Sequence, residues 1–225
     1  MSPAAPGLPA RMPWAGLALA AAGAIAFSGK AIIVKLAYRH GVDAVTLLMY
    51  RMLFALPLFV ALAWWAGRGK PPLSRRDLLL VAGLGFSGYY LASFLDFAGL
   101  QYISASLERL ILYLTPTLVL GFGVLLFGHR VTLRQLLALG VSYAGVLLVF
   151  GHEVSLSGRD TLVGAALVFA SAVSYSLYLV FSGEHVARLG ALRLTGWATS
   201  VAALLCIAQF LLLKPLSAAM VAPPV

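Results

Sequence analysis

The chain has 225 residues, of which 62% are hydrophobic and only 10% are charged, and its mean hydropathy is +0.98. A soluble domain is roughly a quarter charged, so this composition excludes a water-soluble globule and indicates a protein of the lipid bilayer. The excess of 16 Lys and Arg over 7 Asp and Glu fits basic cytoplasmic loops, and nucleic-acid binding is not needed to explain it.

Apolar runs of roughly the 20 residues that cross a bilayer recur between short polar, Gly-rich or Pro-rich segments. They predict seven spans: residues 14–37, 44–65, 78–101, 106–127, 133–150, 162–182 and 193–213. Residues 1–13 precede the first span as a tail. The first apolar run is longer than the core of a signal peptide, so it is predicted to be a retained span. Pro57 and Pro116 are expected to kink their spans, because proline removes a helix amide donor.

Lys and Arg fall unequally on the two sides that alternate crossings define. One side, called the inner side below, receives Arg11, Arg68, Lys70, Arg75, Arg76, Arg130, Arg134, Arg188 and Arg193. The outer side receives Lys35, Arg39, Arg159 and Lys214. Because basic loops stay in the cytoplasm, this excess predicts a multi-pass protein of the inner or plasma membrane with a cytoplasmic N-terminus.

Residues 16–28 and 164–176 share a pattern of small and aromatic residues at an offset of 148. Five spans separate the two copies, and an odd number of crossings turns the second copy upside down. Inverted repeats are typical of secondary transporters, which bind their substrates near the bilayer midplane between the two halves.

The stretch LQYISASLERLILYLTPT at 100–117, followed by GHRVTLRQ at 128–135 and GVSYAGV at 140–146, resembles the end of an EamA domain of the drug/metabolite transporter superfamily. The resemblance covers nearly the whole chain. It implies an all-helical transporter with two inverted five-helix repeats, ten spans in all, that moves small metabolites and often exports them.

On this resemblance, residues 14–150 form a complete first repeat. After a linker at 151–161, residues 162–225 supply two helices of an incomplete second repeat, so the chain is expected to be a truncated or partial ten-span transporter. One departure concerns His129, which follows Gly128 where the family often has Gly-Glu.

Ionisable side chains inside a span are costly unless they have a partner, a cavity or a route to the headgroups. Such residues in the predicted spans all fall in the outer halves: Lys30, Arg51, Asp96, Glu108 and Arg109. Lys30, Arg51 and Asp96 lie deeper and are candidates for a polar cavity that attracts a carboxylate or phosphate, or alternatively for a structural ion pair. Glu108, Arg109 and Lys35 are instead expected to reach the outer headgroups.

Polar residues at helical spacing predict which faces look inward. Tyr89, Ser93 and Asp96 share a face of the third span, and Ser171, Tyr175, Tyr178 and Ser182 share a face of the sixth. In the repeat alignment with its offset of 148, Lys30 corresponds to Tyr178 and Phe27 corresponds to Tyr175. The predicted substrate-cavity residues are therefore Lys30, Arg51, Tyr89, Ser93, Asp96, Tyr113, Tyr175 and Tyr178. Ordinary packing is the alternative for any single tyrosine.

Other functions fit less well. Residues 85–88, Gly-Phe-Ser-Gly, match the G-x-S-G of rhomboid proteases, but a nucleophilic serine needs a nearby base. His40, His129, His152 and His185 lie in loops or at span ends, so catalysis is disfavoured, and no metal or cofactor is predicted. The single Cys206 excludes an intrachain disulfide. A seven-span receptor would place its N-terminus outside.

The sequence therefore predicts a transporter of a small zwitterionic or anionic metabolite, such as an amino acid, working by alternating access. The chain has no Gly-rich phosphate loop followed by Lys-Ser/Thr, so a gradient rather than ATP is expected to drive efflux. A homodimer is possible, and a non-transporting remnant or membrane scaffold is the alternative.

Overall fold

The computed structural model describes residues 14–150 and 158–216, and every regular element in these ranges is helical. The helices are α1 (Trp14–Ser28), α2 (Lys30–Arg39), α3 (Ala44–Gly67), α4 (Arg75–Leu84), a π segment (Gly85–Leu91), α5 (Ala92–Leu100), α6 (Ala105–Leu112), α7 (Thr115–Phe127), α8 (Leu133–Phe150), α9 (Arg159–Leu189) and α10 (Ala191–Leu213).

These helices form runs long and apolar enough to cross a membrane: Gly16–Arg39, Ala44–Gly67, Arg75–Leu100, Ala105–Phe127, Arg159–Leu189 and Ala191–Leu213. A shorter apolar helix covers Leu133–Leu148. The predicted all-helical, multi-pass membrane fold is confirmed. The helix of the sixth span, α9, continues past the predicted end of the span at residue 182 and ends at Leu189, before Gly190, whose φ is +83°.

Contacts between distant segments show that the connections between helices lie at two opposite ends of the bundle. At the inner end, Arg193 donates a 2.9 Å hydrogen bond to the Pro71 carbonyl, and Arg188 pairs with Asp77. At the outer end, Lys214 lies 3.2 Å from Asp43. This is the alternation that the predicted crossings require.

The second and seventh spans, α3 and α10, lie side by side in opposite directions. At the inner end, a methyl group on Gly196 would lie 2.8 Å from the Cβ of Ala63, so glycine permits the close approach. At the outer end, the Asp43–Lys214 pair joins the start of α3 to the residue after α10. These two spans are related by the repeat offset, and an inverted repeat requires opposite directions.

Asp43 also caps α3. Its carboxylate accepts hydrogen bonds from the amides of Val45 at 3.0 Å and Thr46 at 3.3 Å, which satisfies amides that a helix start leaves free. Burial raises the pKa of Asp43, but hydrogen bonds from Thr46 and Lys214 outweigh burial and hold the pKa below its usual value. The cap is therefore ionised at neutral pH.

Three spans are interrupted. The first breaks at Gly29 between α1 and α2, and the fourth breaks between α6 and α7, one turn before Pro116. The third contains the π segment, and such segments are frequent at functional sites. A helix break lies next to Pro116, where a kink is predicted, and α3 continues as one helix through Pro57. The π segment, which covers the Gly-Phe-Ser-Gly motif, was not predicted.

Candidate functional site

A cavity of about 620 Å³ lies between the spans, toward the outer end of the bundle. Its volume is in the range of small-molecule sites. The lining includes these predicted residues: Lys30, Arg51, Tyr89, Ser93, Asp96, Tyr113 and Tyr175. The cavity therefore brings together predicted side chains from the first, second, third, fourth and sixth spans.

Tyr178, the remaining predicted residue, packs behind the cavity wall. It is only 5% exposed, and its hydroxyl lies 3.0 Å from the hydroxyl of Tyr89. Its ring fills the space beside Gly88, where a methyl group would lie 2.3 Å from the Tyr178 Cγ. The expectation that Tyr178 lines the cavity was wrong, because the absence of a side chain at Gly88 lets its ring pack into the helix interface. Tyr178 therefore contacts Tyr89 on the side away from the cavity and holds it in place.

Four charged side chains from three spans form a buried cluster beside the cavity. The Lys30 ammonium pairs with Asp96 and lies 2.8 Å from Glu108 Oε1. Arg109 Nε lies 3.4 Å from Glu108 Oε2. With two basic and two acidic side chains, the formal charges of the cluster balance, and paired charges of this kind are tolerated when buried.

The expectation that Glu108 reaches the headgroups was wrong. Its side chain is 0% exposed, although it lies only one turn into α6. Ser104 caps this helix through a 3.2 Å bond from the Leu107 amide. The first turn of α6 thereby directs Glu108 toward Lys30, which supplies the compensating charge.

Arg109 and Lys35 are likewise used inside the bundle. Arg109 Nη2 donates hydrogen bonds of 2.9 Å to the carbonyl oxygens of both Phe27 and Ser28, which lie at the break of the first span. Lys35 donates a 2.9 Å bond to the Leu100 carbonyl. Backbone groups without helix partners must be satisfied within a membrane, and here the cationic side chains do so.

Arg51 forms no ion pair with the cluster in the described part of the chain, although the Asp96 carboxylate lies close enough to attract it. Its Nη2 donates a 2.8 Å hydrogen bond to Ser93 Oγ, and its guanidinium carbon lies 4.9 Å from the ring centre of Phe97. In the described part of the chain, no carboxylate lies within 4.0 Å of it. Because the neighbouring cluster is balanced, Arg51 gives the cavity wall one net positive charge. Its planar donor fork suits a carboxylate or phosphate.

The rest of the cavity wall is largely apolar and aromatic. Phe27, Phe59 and Tyr175 contribute rings, and the Tyr175 ring stacks on Tyr178 with centroids 5.6 Å apart. A ligand placed here would meet one charged region and a larger aromatic region. The arrangement suits an organic molecule with an acidic group and an apolar body.

Sequence reasoning missed some lining residues, although the repeat offset carried a signal for one of them. Thr199 lines the cavity and stands at the offset of 148 from Arg51. Phe27 and Tyr175, which the offset also relates, both line it. Applying the repeat to every candidate would have found Thr199.

The chain is similar to known membrane transporters. The model of the EamA-like transporter family matches residues 14–151. The uncharacterized transporter YcbK of Bacillus subtilis is 31% identical over 186 residues, which cover 80% of this chain and 58% of that protein. A WAT1-related protein of Arabidopsis thaliana is 29% identical over 195 residues, covering 74% of this chain and 55% of that protein.

The crystal structure of another protein is similar, with a TM-score of 0.59. The match is 21% identical and covers 85% of this chain and 72% of that one. At this identity, the likeness shows the fold alone. The chain spans little more than half the length of the two curated relatives.

Proposed function

Because this chain belongs to the EamA-like transporter family, whose members are multi-pass membrane transporters, we propose that it moves a small organic anion or zwitterion across the inner or plasma membrane. The observation that carries this proposal is the Arg51 guanidinium, which lines a 620 Å³ cavity and has no carboxylate within 4.0 Å among the residues that the structure describes. An amino acid with an apolar side chain has the matching chemistry.

The charge distribution supports an acidic substrate group. A cation inside a span costs at least about 2.5–3.5 kcal/mol without a compensating partner. The cluster of Lys30, Asp96, Glu108 and Arg109 balances itself, so the charge of Arg51 is left for a ligand. A carboxylate at Arg51 would make the cavity neutral, and the aromatic wall would bury the apolar part of the ligand.

The interrupted spans support alternating access. The breaks of the first and fourth spans and the π segment of the third all adjoin the cavity, which Phe27, Tyr113 and Tyr89 line. Discontinuous spans at the substrate site are typical of transporters that rock one repeat against the other. We infer gradient-driven efflux, with residues 14–150 as the first repeat and 162–225 as part of the second.

Solute exchange in proteoliposomes tests this function. Purified protein is reconstituted and preloaded in turn with monocarboxylates, amino acids, diamines and neutral sugars, and entry of the labelled solute is measured. Carboxylate-bearing solutes should exchange above the level of protein-free liposomes, whereas diamines should not. Selective diamine exchange would contradict the proposal, and binding of carboxylates without exchange would favour the membrane scaffold.

We also propose that the inner end of the bundle faces the cytoplasm, because the predicted inner loops carry most of the Lys and Arg. Lys70 and Gln101 are exposed at opposite ends, so each is changed singly to cysteine in a Cys206→Ala chain. A membrane-impermeant maleimide should label Gln101→Cys on intact cells and Lys70→Cys only after permeabilisation. The reverse pattern would overturn the orientation.

A further inference from the structure

The end of α7 holds His129 in a defined position. The Gly128 amide bonds to the Val124 carbonyl at 3.0 Å and the His129 amide to the Gly123 carbonyl at 3.1 Å, with Gly128 at φ +66°. The bond from the left-handed Gly128 to Val124 is that of a helix end of the αL type. A methyl group on Gly123 would lie 3.0 Å from the imidazole Nδ1, so the glycine makes room for the ring.

The imidazole reaches across to the sixth span. His129 Nε2 lies 3.1 Å from Glu184 Oε1, and the two side chains are 54% and 37% exposed. Beside this pair, the rings of Phe127 and Phe181 meet edge to face with centroids 5.4 Å apart. The inner ends of α7 and α9 are therefore joined by one apolar and one polar contact.

In the described part of the chain, Glu184 is the acidic side chain paired with His129, and the other charged groups nearby are basic. The loop and α8 contribute Arg130 and Arg134, and α9 contributes His185 and Arg188. His185 bonds to the Phe181 carbonyl at 2.9 Å, and Arg188 pairs with Asp77 of α4. Protonation of His129 would therefore add attraction specifically toward Glu184.

We propose that His129 and Glu184 form a pH-dependent latch between the inner ends of the fourth and sixth spans. Histidine ordinarily changes its charge between about pH 5 and 8. When the imidazole gains a proton as pH falls, its contact with the Glu184 carboxylate becomes an ion pair and the latch tightens. When the proton is lost as pH rises, the ion pair is lost and the latch loosens.

The latch bears on the cavity because α7 and α9 both line it, through Thr115 and Pro116 on one and Ser171 and Tyr175 on the other. Holding their inner ends together opposes opening of the cavity toward the inner side. This consequence rests on the proposed transport function, whereas the latch itself does not.

The distance between the two span ends tests the latch without a transport assay. Val131 and Ala187 are exposed on either side of the pair, and both are changed to cysteine in a Cys206→Ala chain and spin-labelled. Distances are measured in lipid nanodiscs from pH 5.5 to 8.5. The ratio of short to long distances should fall about two- to fivefold as pH rises, the effect of an exposed ion pair.

Variants identify the groups responsible. His129→Gln should remove the pH response, and His129→Arg should keep the short distance at every pH. The matched control His185→Gln, one residue from Glu184, should respond like the parent chain. Distances that do not change with pH in the parent chain, or a response that survives His129→Gln, would overturn the latch.

Discussion

Replacement of Lys30 by methionine is expected to lower the free energy of unfolding by about 3–5 kcal/mol, the cost of removing one partner from a buried ion pair. The change leaves the side chains of Asp96 and Glu108, 4% and 0% exposed, without their shared cation, and Arg109 lies within ion-pair distance of Glu108 alone among the described residues. Reversible unfolding in mixed micelles measures the loss. The matched control is Lys35→Met in the same helix, which removes one bond to a carbonyl and should cost about 1 kcal/mol.

A second substitution checks the cause. If the loss reflects uncompensated charge, adding Asp96→Asn to the Lys30→Met chain should restore part of the stability, because one buried carboxylate is then neutral. Equal losses for the Lys30 and Lys35 variants, or a further loss in the double variant, would mean that Lys30 does not neutralise this cluster.

Arg51→Gln is expected to lower the efficiency of carboxylate exchange by about 30-fold or more, corresponding to the roughly 2–5 kcal/mol for truncating one partner of a desolvated charge pair. Folding should be nearly unaffected, because Arg51 bonds to a serine hydroxyl and packs on Phe97 rather than pairing with a carboxylate. Proteoliposome exchange and thermal unfolding measure the two effects separately.

Matched changes sharpen the test of Arg51. Arg51→Lys should retain part of the exchange, since it keeps the charge but loses the planar donor fork. Arg39→Gln removes an arginine exposed at the outer end and should leave exchange unchanged. Normal exchange by Arg51→Gln would place anion recognition elsewhere in the cavity.

Much of the fold could be predicted because the bilayer fixes the length and apolar character of each span. The inward faces of the helices could also be predicted, since Tyr89, Ser93 and Asp96 recur at helical spacing. The end of α9 could not be predicted, because Glu184 and Arg188 have the polarity of a loop although they continue a helix. Their partners, His129 and Asp77, lie in other segments that no local pattern identifies.

The site was harder to predict where a side chain's direction depended on its partner. Glu108 and Arg109 lie near the end of a span, and their depth alone indicated the headgroups. Their inward direction depends on the position of the first span, whose break at Gly29 has no proline to mark it. The π segment was also missed because no local signal marks it: the sequence Gly-Phe-Ser-Gly fits an ordinary helix.

The break of the first span divides it into two pieces with different attachments. In α2, Ala31 and Val34 are buried in the core, whereas the described side chains of α1 are exposed. Phe27 on one side of the joint and Lys30 on the other both line the cavity. A ligand that touches both would bridge the joint, so its size would set the angle between the two pieces.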